Sequence, residues 1–240
     1  MANIRILHMF DDAMSLYGEY ANVMLLERYL SEQGHSVHVE RLHLHETKDI
    51  SDYDFYFMGA GTERKQKLAL AQLRQYGEAL KAAYEKEKVM LFTGNSFELL
   101  GRSVTDAEGK CHEGLGVFAF ETTESNSRIV GDCLGSCALF SDPVVGFMNK
   151  CSKTTGIDKP LFRLQMGFGN ETQKGSEGLQ EKNLFATHLT GPVLVKNPSL
   201  LREIATRLVG EIDGTVELPH LQKSYETTAT ALKKRLESLK

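Results

Sequence analysis

No stretch of the 240 residues approaches the ~20 consecutive apolar side chains that a bilayer-spanning helix needs. The start, Met1 to Phe10, lacks a basic region followed by an apolar core and a small-residue cleavage site. The expectation is therefore a cytoplasmic, unprocessed chain with no membrane insertion. Cysteine is scarce: Cys111, Cys133, Cys137 and Cys151 do not make a disulfide framework at this length, and no CxxC pair suggests zinc or redox work. His43 and His45 are spaced to share one face of a strand, but no second His or Cys cluster completes a ligand set, so no metal is expected. An excess of one charge is missing too. Lys+Arg 28 against Asp+Glu 32 leaves a net charge of -4, which disfavours a nucleic-acid partner or an anionic membrane surface reached by bulk charge. With neither a low-complexity linker nor an internal repeat, residues 1–210 read as one domain and 211–240 as a charged helical tail. A solvated terminal helix is the simpler expectation for that tail, with docking on a partner as the alternative.

What is present is 41% hydrophobic and 25% charged, the balance of a soluble globular protein. Ile4 to Phe10 is rich in β-formers, and Tyr17 to Gln33 carries Leu25, Leu26, Tyr29 and Leu30 at helical spacing before Gly34. Val37 to Leu42 alternates, and Tyr53 to Met58 is an almost continuous apolar run closed by Gly59-Ala60-Gly61, as expected for a strand covered on both faces. Glu63 to Lys88 reads as one amphipathic helix with Leu68, Leu73, Leu80 and Tyr84 as its inward stripe. Val89 to Phe92 returns as a strand and runs into Thr93-Gly94-Asn95-Ser96 and a short helix, Phe97 to Leu100. Strand, tight turn and helix is the geometry that presents chemistry at the carboxyl edge of a parallel sheet. The second half changes to short β-like runs around Val117–Glu121, Arg128–Cys133, Val144–Met148 and Phe162–Met166, then a strand at Asn183–His188 and a helix from about Pro198 to Val209.

These elements carry motifs in a recognisable order: Leu16-Tyr17-Gly18-Glu19-Tyr20-Ala21-Asn22, Phe57-Met58-Gly59-Ala60-Gly61-Thr62-Glu63-Arg64-Lys65-Gln66, Glu98-Leu99-Leu100-Gly101, Glu113-Gly114-Leu115-Gly116, Ser127-Arg128-Ile129-Val130-Gly131-Asp132, Val145-Gly146-Phe147, Gly167-Phe168-Gly169-Asn170, and Leu189 to Pro198. In that order, from about Met1 to about Leu208, the chain resembles the class I glutamine amidotransferases of the cobyric-acid-synthase type. The branch it most resembles includes glutaminase subunits that act in lipid II amidation. The resemblance implies an α/β fold with a flavodoxin-like parallel sheet, flanking helices and a β-rich second half. It also implies no cofactor and a Mur-ligase-like or cobyrinate-amidating ATP-dependent synthetase as partner, with glutamine as the family's substrate.

In the family a cysteine in an elbow of the form Cys-Gly-Gly-Tyr-Gln-Leu-Leu-Gly attacks the glutamine amide, and the histidine of a Leu-His-Gly-Pro motif is its base. Counted back from Gly101, Gly94 stands at the nucleophile position, and Thr190 replaces the base in Leu189-Thr190-Gly191-Pro192. Glycine has no nucleophile and threonine lacks the imidazole's range as a base, so glutaminase chemistry by the family mechanism is not expected. Arg128 falls where the family contacts glutamine and has the fork to hold an α-carboxylate; a strand-edge salt bridge explains it equally well. Gly59 and Gly61 follow a buried strand where the family supplies an oxyanion amide, and a tight turn alone explains them too.

A competing hydrolase reading uses Ser96 and His188. Gly94-Asn95-Ser96 has the opening of a nucleophile elbow, and His188 keeps strand parity with Thr190. Against it, Ser96 suits the N-cap of Phe97–Leu100. Cys111 beside His112 carries less weight, because Asp106 to Lys110 reads as a surface hairpin loop. The expectation is a degenerate, noncatalytic subunit that no longer produces ammonia but still pairs with such a synthetase. A hydrolase of another amide or ester using Ser96 and His188, and an intact glutaminase subunit supplying ammonia for peptidoglycan or corrinoid amidation, stand as alternatives.

Overall fold

The computed structural model describes residues 1–173, 175–216 and 218–238. In chain order its elements are β1 (Asn3–Met9), α1 (Tyr20–Glu32), β2 (Ser36–Leu42), β3 (Phe55–Met58), α2 (Glu63–Leu73), α3 (Gly77–Glu85), β4 (Val89–Thr93), β5 (Ser103–Thr105), β6 (Cys111–Glu113), β7 (Glu121–Cys137), β8 (Phe140–Thr155), β9 (Phe162–Met166), β10 (Ser176–Glu177), β11 (Leu179–Glu181), β12 (Leu184–Thr187), β13 (Leu189–Thr190), α4 (Val193–Lys196), α5 (Pro198–Val209) and α6 (Pro219–Ser238).

The first sheet runs β11-β12-β4-β3-β1-β2, parallel throughout except where β11 meets β12. This is the flavodoxin-like order, closed at one edge by an antiparallel strand. Alternation along its strands splits the core in two. Leu7, Met9, Tyr56, Met58, Met90 and Phe92 face α2 and α3, while Ile4, Ile6, Phe55, Phe57, Val89 and Leu91 face α1 and α5. Both faces are covered, as the uninterrupted apolar run at β3 predicts. The second sheet is a mostly antiparallel array built on the long β7–β8 ribbon, with β9, β10, β5 and β6 extending from β7, and β13 on β8.

Four expectations are corrected. The helix read over Glu63–Lys88 is two helices joined by a 3₁₀ turn at Arg74–Tyr76; Leu68 is left outside its inward stripe and exposed, while Ala69, Leu70, Leu73 and Leu80 are buried. The β runs at 128–133 and 144–148 are parts of two long strands, and Val117–Phe120 precedes the first of them without being a strand. His43 and His45 lie beyond the end of β2, with the His43 ring held between Asp11 and Glu46. The tail helix α6 is docked, not solvated. Tyr225, Ala229 and Leu232 bury themselves against Leu134 and Val145, and the Tyr225 hydroxyl donates to Pro143 O at 2.8 Å. Among the described residues, no helix is long and apolar enough to cross a membrane.

Candidate functional site

β4 ends at Thr93, level with Thr187 of β12, and the chain turns into a 3₁₀ segment, Gly94–Leu100. The turn is made by Gly94 at φ +61°, a backbone conformation that only glycine adopts without strain. A Cβ at this position would sit 2.5 Å from Ala60 Cβ and 3.1 Å from Thr190 Cγ2. Two methyl groups therefore fill the volume into which a side chain at 94 would project.

Gly94, Ala60 and Thr190 border a cavity of about 180 Å³ at the carboxyl edge of the first sheet, where ligands bind in folds of this class. Its outer wall is polar. Arg128 donates to Glu63 Oε1 at 2.5 Å and to Asn149 Oδ1 at 2.9 Å, and Asn149 in turn donates to the Tyr17 hydroxyl at 2.9 Å. The Cys151 thiol points at Glu63 Oε1 at 3.3 Å; burial, then the Glu63 charge, push that thiol up to about 12. It is a protonated thiol at neutral pH, not a nucleophile. Arg128 thus lines the cavity with its charge already answered by Glu63.

The floor is a buried ionic network. Gln66 Nε2 donates to Glu98 Oε2 at 2.7 Å, the Ser152 hydroxyl bonds Glu98 Oε1, and His188 Nε2 lies 3.6 Å from Glu98 Oε1. Burial alone raises the Glu98 carboxyl, but His188, Ser152 and Gln66 outweigh it and hold the group below its ordinary value. The other side of the imidazole belongs to Glu177, which accepts from the His188 backbone N–H at 2.8 Å and faces Nδ1 at 3.2 Å. Lys150, also buried, donates to the carbonyls of Gly169 and Asn170 at 2.7 and 2.9 Å; burial lowers its ammonium pKa.

The loop after β3 is held just as tightly. Gly61 N–H donates to Asn95 Oδ1 at 2.9 Å while Asn95 Nδ2 donates back to Gly61 O at 2.9 Å. The Gly61 amide is consequently occupied by a side chain of the elbow itself. Gly59 and Gly61 are also needed for packing: a Cβ on Gly59 would lie 2.5 Å from Met14 O, and one on Gly61 would strike the Met14 sulfur. Behind the elbow, fully buried Glu19 accepts from Thr93 Oγ1 at 2.5 Å, Gly191 N at 2.7 Å and Asn22 Nδ2 at 3.0 Å, tying β4 to the turn after β13.

The two residues of the hydrolase reading do not meet. Ser96 is buried with its hydroxyl shared between Met58 O at 2.8 Å and Thr93 O at 2.9 Å, whereas the His188 ring faces Glu177, Glu98 and Thr154. Nor does Ser96 cap a helix, since the 3₁₀ segment already begins at Gly94. Cys111 is exposed on the β5–β6 hairpin, away from the cavity. Sequence reasoning missed the Glu98–His188–Glu177 chain and the obstruction by Ala60. A readable signal existed for the second, an alanine between two glycines beside a turn that carries no side chain.

A parallel sheet of this order, an elbow at its central strand and a cavity beside it define the class I glutamine amidotransferase fold. The family model for the CobB/CobQ-like glutamine amidotransferase domain matches residues 5–198, and the chain belongs to that family. It is 31% identical over 220 residues to the lipid II isoglutaminyl synthase (glutamine-hydrolyzing) subunit GatD of Streptococcus pneumoniae, covering 90% of this chain and 85% of that protein. The GatD subunit of Staphylococcus aureus is 30% identical over 197 residues, covering 82% of this chain and 81% of its own. Among solved structures, a glutamine amidotransferase from Thermotoga maritima superposes with a TM-score of 0.54 at 14% identity, over 98% of this chain and 97% of that one, a likeness of fold.

Proposed function

We propose that this chain is the glutamine amidotransferase-like subunit of a lipid II-amidating assembly, that it no longer hydrolyses glutamine, and that it pairs in the cytoplasm with a Mur-ligase-like ATP-dependent synthetase. The likeness to two GatD subunits over most of their length supports the assembly. One observation carries the loss of catalysis: position 94, at the elbow, has no side chain, and the Ala60 and Thr190 methyls occupy the space for one. Two further features agree. Thr190 Oγ1 donates to Phe147 O at 3.3 Å and offers no base, and the Gly61 amide is taken by Asn95, leaving it no proton for a developing oxyanion.

Arg128 and the cavity are what remains of a glutamine site. An incoming α-carboxylate must displace Glu63 from Arg128, so saturating glutamine is expected to leave the melting temperature unchanged. The decisive assay is glutamate release from L-glutamine by the purified chain, alone and with its co-purified partner. No release in either condition is expected, and release in any of them overturns the noncatalytic reading. Affinity purification from the source cell is expected to recover a ligase-like, ATP-dependent protein in stoichiometric amount; a chain that never brings one down loses the partner half of the proposal.

A further inference from the structure

The β7–β8 ribbon breaks its register beside the cavity. Glu124 stands opposite Ser152 and Ile129 opposite Lys150, so the four residues Ser125 to Arg128 face the single Cys151. Bulges gather at the rims of functional clefts, where they re-aim a side chain. Here that side chain is Arg128, which leaves the ribbon to reach Glu63 on α2 and lines the cavity. Ser125, Asn126, Ser127 and Arg128 are all exposed and none is apolar, so no hydrophobic burial fixes the bulge in place. The Ser125 hydroxyl pins its first residue to Cys151 O at 3.2 Å, and the Arg128 guanidinium ties down its last.

Two ion pairs join β7 to α2 across this break, and they differ in kind. At the root of the bulge Lys67 reaches Glu124, and the two side chains are 17% and 5% exposed. At its other end Arg128 Nη2 meets Glu63 Oε1 at 2.5 Å, with side chains 41% and 36% exposed. Water and salt screen the second pair far more than the first. The Cys151 thiol, opposite the bulge, aims at the same Glu63 oxygen as Arg128. We propose that Ser125–Arg128 is a flap at the cavity mouth, hinged at Glu124 and Ile129 and latched shut by the bonds of Arg128 to Glu63 and Asn149. Closed, it keeps the Cys151 thiol against Glu63. Opening exchanges one half-exposed ion pair and one side-chain hydrogen bond for water, which lies within reach of local fluctuation. The Lys67–Glu124 pair stays made and returns the flap to the same place. Movement here needs neither the loss of catalysis nor a synthetase partner.

The four free thiols supply the readout: Cys111 is exposed, Cys133 and Cys137 are buried, and Cys151 lies between. The full chain is pulsed with iodoacetamide and each cysteine is followed by peptide mass spectrometry, with Cys111 as the reference. Arg128→Met keeps most of the bulk of the side chain and removes its bonds. It is expected to speed Cys151 labelling about fivefold while Cys133 and Cys137 stay protected. Electrostatics without movement predicts the reverse, because the Arg128 charge lowers the Cys151 pKa and its removal makes the thiolate scarcer. Sodium chloride at about 1 M is expected to speed Cys151 in the wild-type chain and to leave Arg128→Met unmoved, since screening opens only a latch that is present. If Cys151 in Arg128→Met reacts at the wild-type rate or more slowly, there is no flap. An equal salt response in both proteins also overturns the proposal, because screening of Glu63 alone acts on both. So does labelling of Cys133 and Cys137 in step with Cys151, the mark of general loosening.

Discussion

The contact between positions 60 and 94 lends itself to a double-mutant cycle. Gly94→Ala places a methyl carbon on a backbone at φ +61° and 2.5 Å from Ala60 Cβ. Unstrained carbon contacts lie at ~3.5–4.0 Å, so the two methyls must separate by about 1 Å or more. The left-handed conformation costs ~1–2 kcal/mol for a non-glycine residue, and the overlap in a closed core another ~1–3 kcal/mol. Ala60→Gly alone removes one buried methyl and loosens a turn, for about 1 kcal/mol. In the double variant the methyl clash is gone, while the backbone term and the tight contacts with Thr190 Cγ2 at 3.1 Å and the Cα of residue 60 at 3.3 Å remain. The two substitutions together are therefore expected to be less destabilising than their sum by ~1–3 kcal/mol, read from urea midpoints of the four proteins. Additivity within about 0.5 kcal/mol would refute the obstruction. The same logic orders any restoration of activity. Gly94→Cys alone should release no glutamate, and measurable release should need Ala60→Gly and Thr190→His as well; equal release from the single and triple variants would show that Ala60 obstructs nothing.

Burial raises the Glu19 carboxyl to about 7 against the hydrogen bonds of Thr93, Gly191 and Asn22. Its folded value lies above its ordinary 4.5, so its contribution to stability is whole below that value and declines as pH rises through about 7. Relative to Glu19→Gln, the wild-type chain should lose on the order of 3 kcal/mol across that window, and parallel stability–pH curves would show that Glu19 is not protonated on folding. Lys150→Met leaves the carbonyls of Gly169 and Asn170 without donors and removes the cation facing Glu98 and Glu177, for about 3 kcal/mol in denaturant titrations. A loss under 1 kcal/mol would mean that the buried ammonium is dispensable. Tyr225→Ala should cost ~2–4 kcal/mol by emptying the seat of α6, and Arg235→Ala, which breaks an exposed pair with Asp132, less than 1 kcal/mol. Equal effects would place α6 outside the cooperative unit.

The parallel sheet was legible because its strands are short, its central ones, β3 and β4, are apolar on both faces, and glycine punctuates them, Gly59 and Gly94 above all. The helix between them misled because one apolar period was carried across Arg74–Tyr76, where a tighter turn changes the phase and leaves Leu68 in water. The long ribbon was hidden by its own irregularities: register shifts between Glu124 and Ile129 and between Gly135 and Cys137 break the alternation into fragments that read as separate runs. In the tail, Tyr225, Ala229 and Leu232 do stand at helical spacing, but the charged residues around them, Lys223, Glu226, Lys233, Lys234 and Arg235, suggested water on every side. At the candidate site, Gly94 and Thr190 could be placed by counting along motifs. Most partners of Ser96 and His188 could not, because Met58, Thr154 and Glu177 come from β3, β8 and β10 and Glu98 from the 3₁₀ segment, and only the folded topology brings these together.

Asn95 and Gly61 hold each other by two reciprocal bonds, and beside them the Ala60 methyl occupies the space a side chain on Gly94 would need. Seen as a path through sequence space, this is a ratchet. Under the noncatalytic reading proposed above, a side chain regains position 94 only after position 60 has shrunk, and shrinking it first confers nothing while position 94 is bare. Neither step alone restores the chemistry, so the packing itself holds the chain where it is.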